Sequence, residues 1–442
     1  MLQQTLTIVA RVCDEARLRG VLAEIARARV FVGARSQAQP QFFADPKLGI
    51  HFARIVLIPS DGRFDTWLAL ESNFDTETDD PERARELHLA DLIRRQPDGM
   101  RALFACCAGF PKDASLGALN AYCRKWIVES TITYQGHARR SLGRIRLEQH
   151  VRDVVLDYVS AQDWAPPPNL FGQIRDHLRT LKERDPRLCD LDVDDAPPSS
   201  PDPKVRNRKL KEGYFPWAVN LVDSPELVVR LGSSVPTICE WDKEDPPFDL
   251  RITHENLTDA DRESFEDLAA GEDFGIQNAL THVVPLRPGH DRESVLRSAH
   301  AYIDEMARDH FNHIGCLGGI PTIHFAKWVL IDGGKRLLFF SNYDHSWESY
   351  IGDFIDEAAL GLNFAWSCTE NYPRTTLLVG GGAKDEESFK AWTRQYSRPT
   401  QVFYSAYPDL SIAAINNNTW IRHGLHQRPE AIDLDSWFRR LT

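Results

Sequence analysis

The chain has 442 residues, 42% apolar and 26% charged, so two or three globular domains with sizeable cores are expected. Its formal net charge of −12 excludes a general nucleic-acid binder, which needs a surplus of Lys and Arg, and disfavours attachment to acidic lipid. No apolar run approaches the roughly 18 residues that suggest a membrane span, and eight scattered cysteines without a CxxC pair read as reduced thiols of a cytoplasmic protein.

In chain order, "MLQQTLTIVARVCDEARLRG" lacks a basic leader region. It reads as a strand, "TLTIVARV", running into the helix "DEARLRGVLAEIARA" rather than as a signal peptide. A hairpin follows at residues 50–75, "IHFARIVLIPSDGRFDTWLALESNFD", with a loose turn, and then the helix "RELHLADLIRRQ". After the turn "CCAGFP" comes "LNAYCRKWIVESTITYQGHARRSLGRI". Beyond about residue 160 nothing repeats. "APPP" breaks the chain before the helix "NLFGQIRDHLRTLKERD", and the acidic "CDLDVDDAPPSSPDP" and basic "KVRNRKLK" read as a surface linker. "GYFPWAVNLV" and "ELVVRLG" restore apolar content, as a small packed insert or a covering flap would.

From residue 276 the first series of elements returns. "ALTHVVPL" and "DRESVLRSAHAYIDEMARDHF" match the opening strand and helix, and "IHFAKWVLIDGGKRLLFFSNYD" at 323–344 matches the hairpin, with "DGGK" signalling a two-residue turn. "ESYIGDFIDEAAL", "CTENYP" and "FKAWTRQYSRPTQVFYSAYPDLSIAAI" follow, with an extra strand-helix piece at "TTLLV" and "DEESFKAWTRQY". His51 matches His324, Tyr134 matches Tyr404, Ser141 matches Ser411, and Ser72-Asn73-Phe74-Asp75 matches Ser341-Asn342-Tyr343-Asp344, in order and at near-constant spacing. This pattern reads as an ancient duplication. The expected class is α+β, with two tandem ferredoxin-like repeats of the dimeric α+β barrel type at 1–160 and 276–442, and a linker and small insert at 161–275.

The hairpin alignment sets His324 opposite Tyr343 with Asn342 and Asp344 nearby, a grouping suited to a general base with an orienting carboxylate. The bland alternative is that His51 and His324 hold the hairpins while Asp75 and Asp344 cap the helices that follow. Features present only in the second series are the sharper candidates: His345, Trp347, Glu348, Asp353 and Asp356, then Tyr407, Asp409, Asn416-Asn417-Asn418 and Arg422. The asparagine run can bind a polar ligand or satisfy a turn. His310 and His313, three apart at a helix end, can share a metal or simply suit the helix dipole. "LVGGGAKDEESF" is rejected as a phosphate loop because it lacks GK[ST], and Asp385, Glu386 and Glu387 repel an anion there.

Two such halves in one chain of this length resemble the dye-decolorizing peroxidases, which share the dimeric α+β barrel superfamily with the chlorite dismutases, where many members bind haem in one half. The GxxDG motif of those peroxidases is absent; "QPDGM" is the nearest stretch and lacks the first glycine. The runs "GGIPTIHFAKWVLID", "SNYDHSWESYIGDFID" and "PTQVFYSAYPDLS" also resemble a group of bacterial proteins with no assigned activity. The resemblance implies haem as cofactor, with His310, His313, His324 and His345 as ligand candidates and Asp409 and Arg422 as polar partners. The leading expectation is a peroxidase-like oxidoreductase with catalytic His324, Asp344, Asp409 and Arg422, cofactor-binding His310, His313 and His345, and ligand-binding Asn416, Asn417 and Trp347. Its partners would be a small molecule and a second copy or another protein. A haem-free binding or scaffold protein and a cofactor-free enzyme using His324 and Asp344 remain the alternatives.

Overall fold

A computed structural model describes residues 2–32, 37–162, 169–191, 259–273, 275–289, 291–312, 315–376, 378 and 380–441. The expected linker composition at 192–258 therefore lies outside the described residues, together with "GYFPWAVNLV" and "ELVVRLG".

The chain is α+β with antiparallel sheets. Its first part runs β1 (Leu2–Arg11), α1 (Glu15–Arg27), β2 (Arg29–Phe31), β3 (Ala38–Pro40), β4 (Ile50–Ile58), β5 (Trp67–Thr76), α2 (Pro81–Arg95), α3 (Pro97–Phe104), α4 (Leu116–Arg124), β6 (Ser130–Gln135), α5 (Leu142–Ser160) and α6 (Leu170–Lys182). After the undescribed stretch come α7 (Asp259–Gly271), β7 (Gln277–Pro285), α8 (Arg292–Met306), β8 (Ile323–Ile331), β9 (Arg336–Asp344) and α9 (Trp347–Trp366). The chain closes with β10 (Thr375–Thr376), β11 (Gly380–Gly381), α10 (Glu386–Tyr396), β12 (Val402–Ser405), α11 (Ile412–His426) and α12 (Leu434–Arg439). Side-chain caps start most of the long helices: Asp14, Asp80, Ser141, Asp291, Ser346, Asp385 and Ser411 each accept a first-turn backbone N–H.

Two four-stranded sheets carry the fold, in the orders β1-β5-β4-β12 and β6-β8-β9-β7. Each sheet takes its last strand from the far part of the chain. β6 pairs with β8 (Tyr134 opposite Ala326), and β12 pairs with β4 (Tyr404 opposite Ala53). The segments leading into these strands first bond to the other sheet: Val9 and Val128 exchange bonds with Trp126 and Thr7 at β1, and Arg398 N donates to Thr281 O at β7. Both seams between the sheets are thus stitched, and the outer strands find partners for part of their length. A cut between residues 160 and 276 would separate each borrowed strand from the sheet it completes.

The hairpins carry two differences from expectation. The β8–β9 connection spans Asp332–Lys335, with positive φ at Asp332, Gly333 and Gly334, rather than a two-residue turn. A bulge lies at His324, so Ile323 rather than His324 faces Tyr343, and Phe325 faces Asn342. The equivalent bulge lies at His51, between Ile50 and Phe52.

The sheets pack face to face through Val9, Val56, Ile58 and Ala69 on one side and Val283, Val329, Ile331, Leu338 and Phe340 on the other. Burying each such side chain contributes about 1.5–3 kcal/mol. Deeper between them sits a charged staple. The Arg54 guanidinium uses all five N–H groups, on Glu71 Oε2 (3.0 Å), Leu280 O (2.7 Å), Thr281 Oγ1 (3.3 Å), Ser341 O (2.8 Å) and Asn342 Oδ1. Lys327 Nζ approaches the same carboxylate at 3.2 Å and donates to Thr5 Oγ1. Burial lowers the Lys327 ammonium to about 8, against the pull of Glu71. The outer faces are covered by helices: α1 to α4 over the first sheet, α8 to α10 over the second, while α5, α6, α11 and α12 share a third cluster around Val151, Ile174, Ile421 and Trp437.

Candidate functional site

The sequence-matched histidines sit together where the two sheets meet. His324 Nε2 lies 2.8 Å from Asp344 Oδ1, and Asp344 Oδ2 accepts the backbone N–H of Ile412 at 2.7 Å. His51 and Asp75 repeat this at 2.9 Å, with Asp75 Oδ2 on Leu142 N. Each carboxylate therefore joins a bulged strand to the N-terminus of α11 or α5, the helix following a borrowed strand, and not the helix that follows in sequence. Tyr407 OH stands 3.0 Å from both His51 Nδ1 and His137 Nε2. Burial, followed by the charges His51, His324 and Arg140 can carry, holds the His137 imidazole well below its ordinary range. His51 and His324 are fully buried, and Phe52 and Phe325 pack against the rings. A pair spent on a helix cap and sealed by aromatic rings is placed to hold structure, not to meet substrate.

The remaining predicted site residues do not converge on that pair. Among the described residues no hydrogen bond joins Asp409 or Arg422 to His324 or Asp344. Asp409 is half-buried in the turn before α11, and burial raises its carboxyl. Arg422 is buried on α11, 3.6 Å from Glu148. Asn416 Oδ1 accepts from Arg140 (2.7 Å), and Asn417 Nδ2 donates to Arg440 O (2.7 Å), so the asparagine run is a mid-helix clamp rather than a ligand edge. Trp347 lies under the Arg394 guanidinium, 3.5 Å from the ring centroid. His345 is exposed at positive φ and takes part through its backbone, bonded to Ile276 O and Asn278 Nδ2. His313 and the His310 side chain lie outside the described residues; the turn that carries His310, Ala307–Phe311, is a π-helix.

Sequence reading missed a different place. Between the second sheet and α8 and α9 lies an apolar cavity of about 60 Å³, walled by Tyr302, Met306, Trp328, Phe354, Leu362 and Ala365 among others. It adjoins a smaller one of about 20 Å³, sharing Phe354 and Leu362 as walls, that reaches Phe339, Trp366, Trp392 and His282. Rigid aromatic rings meet at steep angles here, Trp366 with Phe339 at 90° and with Trp392 at 73°, and such rings leave gaps that aliphatic chains would fill. His282 is 2% exposed; neither ring nitrogen has a side-chain partner or a well-aligned hydrogen bond, and the Trp392 backbone is the polar group close enough to act on the ring. Burial, reinforced by Arg398, pushes its imidazole down to about 3, although the Trp392 backbone acts in the opposite sense, so the ring is neutral near pH 7. Trp328, a wall of the larger cavity, also leaves its Nε1–H without an acceptor. The only hint in the sequence was one histidine within the apolar strand "ALTHVVPL".

On the opposite side an open cleft of about 890 Å³ runs past Asp75 and the start of α5, lined by Lys47, Arg139, Arg144, Arg146 and Arg422 but also by Glu77, Asp91 and Asp190. Its charges nearly balance, which gives it no clear preference for an anion.

Haem finds no seat among the described residues. His324 is fully buried with its ring packed against Phe52 and Asp344 on one nitrogen, His345 faces solvent, and His282, the imidazole beside an apolar cavity, looks into a space far smaller than a porphyrin. Among the described residues no group of three or more His, Cys, Asp or Glu is arranged to hold a metal ion, and no helix is long and apolar enough to cross a membrane. The chain matches no family model, and neither a curated protein nor a solved structure is significantly similar to it.

Proposed function

We propose that the protein is a haem-free binding protein for a small, largely apolar molecule, held in the cavity between the second sheet and α8 and α9. The observation that carries this reading is the pair of adjoining apolar cavities with a fully buried imidazole on the wall that has no side-chain partner. A well-packed core closes such gaps, and a buried polar group without a partner costs about 1–3 kcal/mol, so a site that retains both is suited to a guest. The scaffold is proposed as two ferredoxin-like copies of one ancestral unit, closed into an α+β barrel by exchange of their last strands. The paired contacts His51–Asp75–Leu142 and His324–Asp344–Ile412 support that origin.

The test is titration of the full chain with toluene, followed by tryptophan fluorescence, since Trp328, Trp366 and Trp392 line the cavities. Saturable quenching is expected, and it should be lost in Ala358→Leu, which fills the larger cavity without touching His282. A linear response identical in both proteins would sink the proposal. Haem titration divides this reading from the peroxidase-like one. A stoichiometric Soret band lost on replacing one C-terminal histidine would favour the latter, whereas a flat spectrum is expected.

A further inference from the structure

We infer that His282 selects the guest: the cavity takes a compact, neutral molecule carrying a hydroxyl group, of the phenol or small-alcohol class, with the hydroxyl on the imidazole and the hydrocarbon body against the aromatic walls. This rests on the binding reading above and deepens it.

The chemistry of the pocket excludes the other classes in turn. An anion would need a cationic partner, but burial keeps this imidazole neutral, and no other charged side chain lines either cavity. A cation would suit the surrounding rings, with Trp392 4.5 Å, Trp366 5.0 Å and Tyr396 6.0 Å from the His282 centroid. The positive charge of Arg398, close enough to lower the imidazole's proton affinity, opposes it. A pure hydrocarbon would leave at least one ring nitrogen without a partner. A neutral imidazole offers one donor and one acceptor, and a hydroxyl can use either. The Trp328 indole N–H gives a longer guest a second donor for an ether or carbonyl oxygen in the larger cavity. Size sets the upper limit. An engineered cavity of about 150 Å³ holds benzene, so these spaces of about 60 and 20 Å³ admit one ring only as their walls move apart and join them. The corresponding strand position in the first sheet is Ile8, bridged to Ile127 as His282 is bridged to Ser397. The imidazole is thus not a requirement of the strand.

The experiment compares toluene with p-cresol, which differs by the hydroxyl alone, on the intact protein by tryptophan quenching and calorimetry. p-Cresol is expected to bind about tenfold more tightly, the effect of one buried hydrogen bond. His282→Leu should bring the two within about twofold by weakening p-cresol and sparing toluene. His282→Gln, which restores a donor and an acceptor, should recover part of the preference and guards against misreading a folding defect. Equal affinity of the wild-type protein for both probes would overturn the assignment of His282 while leaving the cavity reading intact. If neither probe binds, the cavity reading falls and this inference falls with it.

Discussion

The two sheets present different surfaces to the helices that cover them. The first offers Leu6, Ile8, Ile55, Leu68 and Leu70, all fully buried, beneath α1 and α2. The second offers His282, Trp328 and Phe339 at comparable strand positions, beneath α8, α9 and α10. Aliphatic chains interdigitate, whereas flat rings meet at angles and leave space between them. Similar strand arrangements therefore carry an aliphatic face and an aromatic one, with the two apolar cavities described above beneath the aromatic face, and a site in such a protein shows itself where matched positions differ in chemistry.

The largest test of this comparison lies between the sheets. Arg54 and Lys327 occupy matched strand positions and both reach across to the other sheet, but Arg54 makes five hydrogen bonds, whereas Lys327 reaches Thr5, the Leu6 carbonyl and Glu71. Arg54→Met should cost about 3–5 kcal/mol in urea unfolding, because it removes the guanidinium from Glu71 and leaves the Leu280 and Ser341 carbonyls without that donor. Lys327→Met should cost clearly less; a reversed order would mean that the staple is wrongly assigned. Next come the matched histidines. His51→Ala and His324→Ala should each lose roughly 2–3 kcal/mol by leaving a buried carboxylate without its imidazole. The His51 variant should lose about 1 kcal/mol more, because only His51 also reaches Tyr407, whereas His324 Nδ1 has no partner. A loss of ligand binding at His324 alone, with stability unchanged, would contradict the structural role.

Acid should then separate the faces. Burial holds the His88 and His282 imidazoles at about 3 and His300 at about 4, all below the ordinary 6.5. The unfolded chain gains protons below pH 6.5 that these folded rings refuse, so it binds more protons and stability falls as pH drops toward 4. Each ring contributes a slope of about 1.4 kcal/mol per pH unit in that window. Urea midpoints collected between pH 7 and 4.5 should show that slope reduced by one such share in His282→Leu; parallel curves would refute its neutral, buried state. The smallest effect is expected at pH 7 without ligand, where His282→Leu should stabilise the protein by about 1 kcal/mol by removing an unsatisfied polar group. Destabilisation would show that the imidazole already has a partner.

Much of the fold was legible because its elements obey simple periods. β4 and β8 read as continuous apolar runs, and all nine residues of each are buried. The helices announced themselves by apolar spacing and by caps such as Asp14 and Ser346. Strand exchange was not legible, since "STITYQ" and "VFYS" carry no mark of which sheet edge they join; that depends on contacts between the two ends of the chain. The hairpin alignment set Asp344 near His324, but the bulges that turn His51 and His324 toward Asp75 and Asp344 hide within a regular pattern. Asn416 and Asn417 looked like ligand contacts because a polar run can bind a polar ligand, and Trp347 because only the second series carries it. Here Arg140, Arg440 and Arg394, distant in sequence, occupy them. His282 escaped notice for the opposite reason: an isolated histidine in an apolar strand normally finds a partner, and only three-dimensional packing shows that this one has no side-chain partner.

The borrowed strands also bear on how the protein is made. Ile55 and its partner Val402 are separated by about 350 residues, so β4 keeps an open edge until that intervening length has been made. Pairings so remote in sequence form slowly, and the growing chain is exposed to self-association until β12 appears. Premature termination after β9 would therefore damage the sheet built from the opening residues as severely as the one being finished.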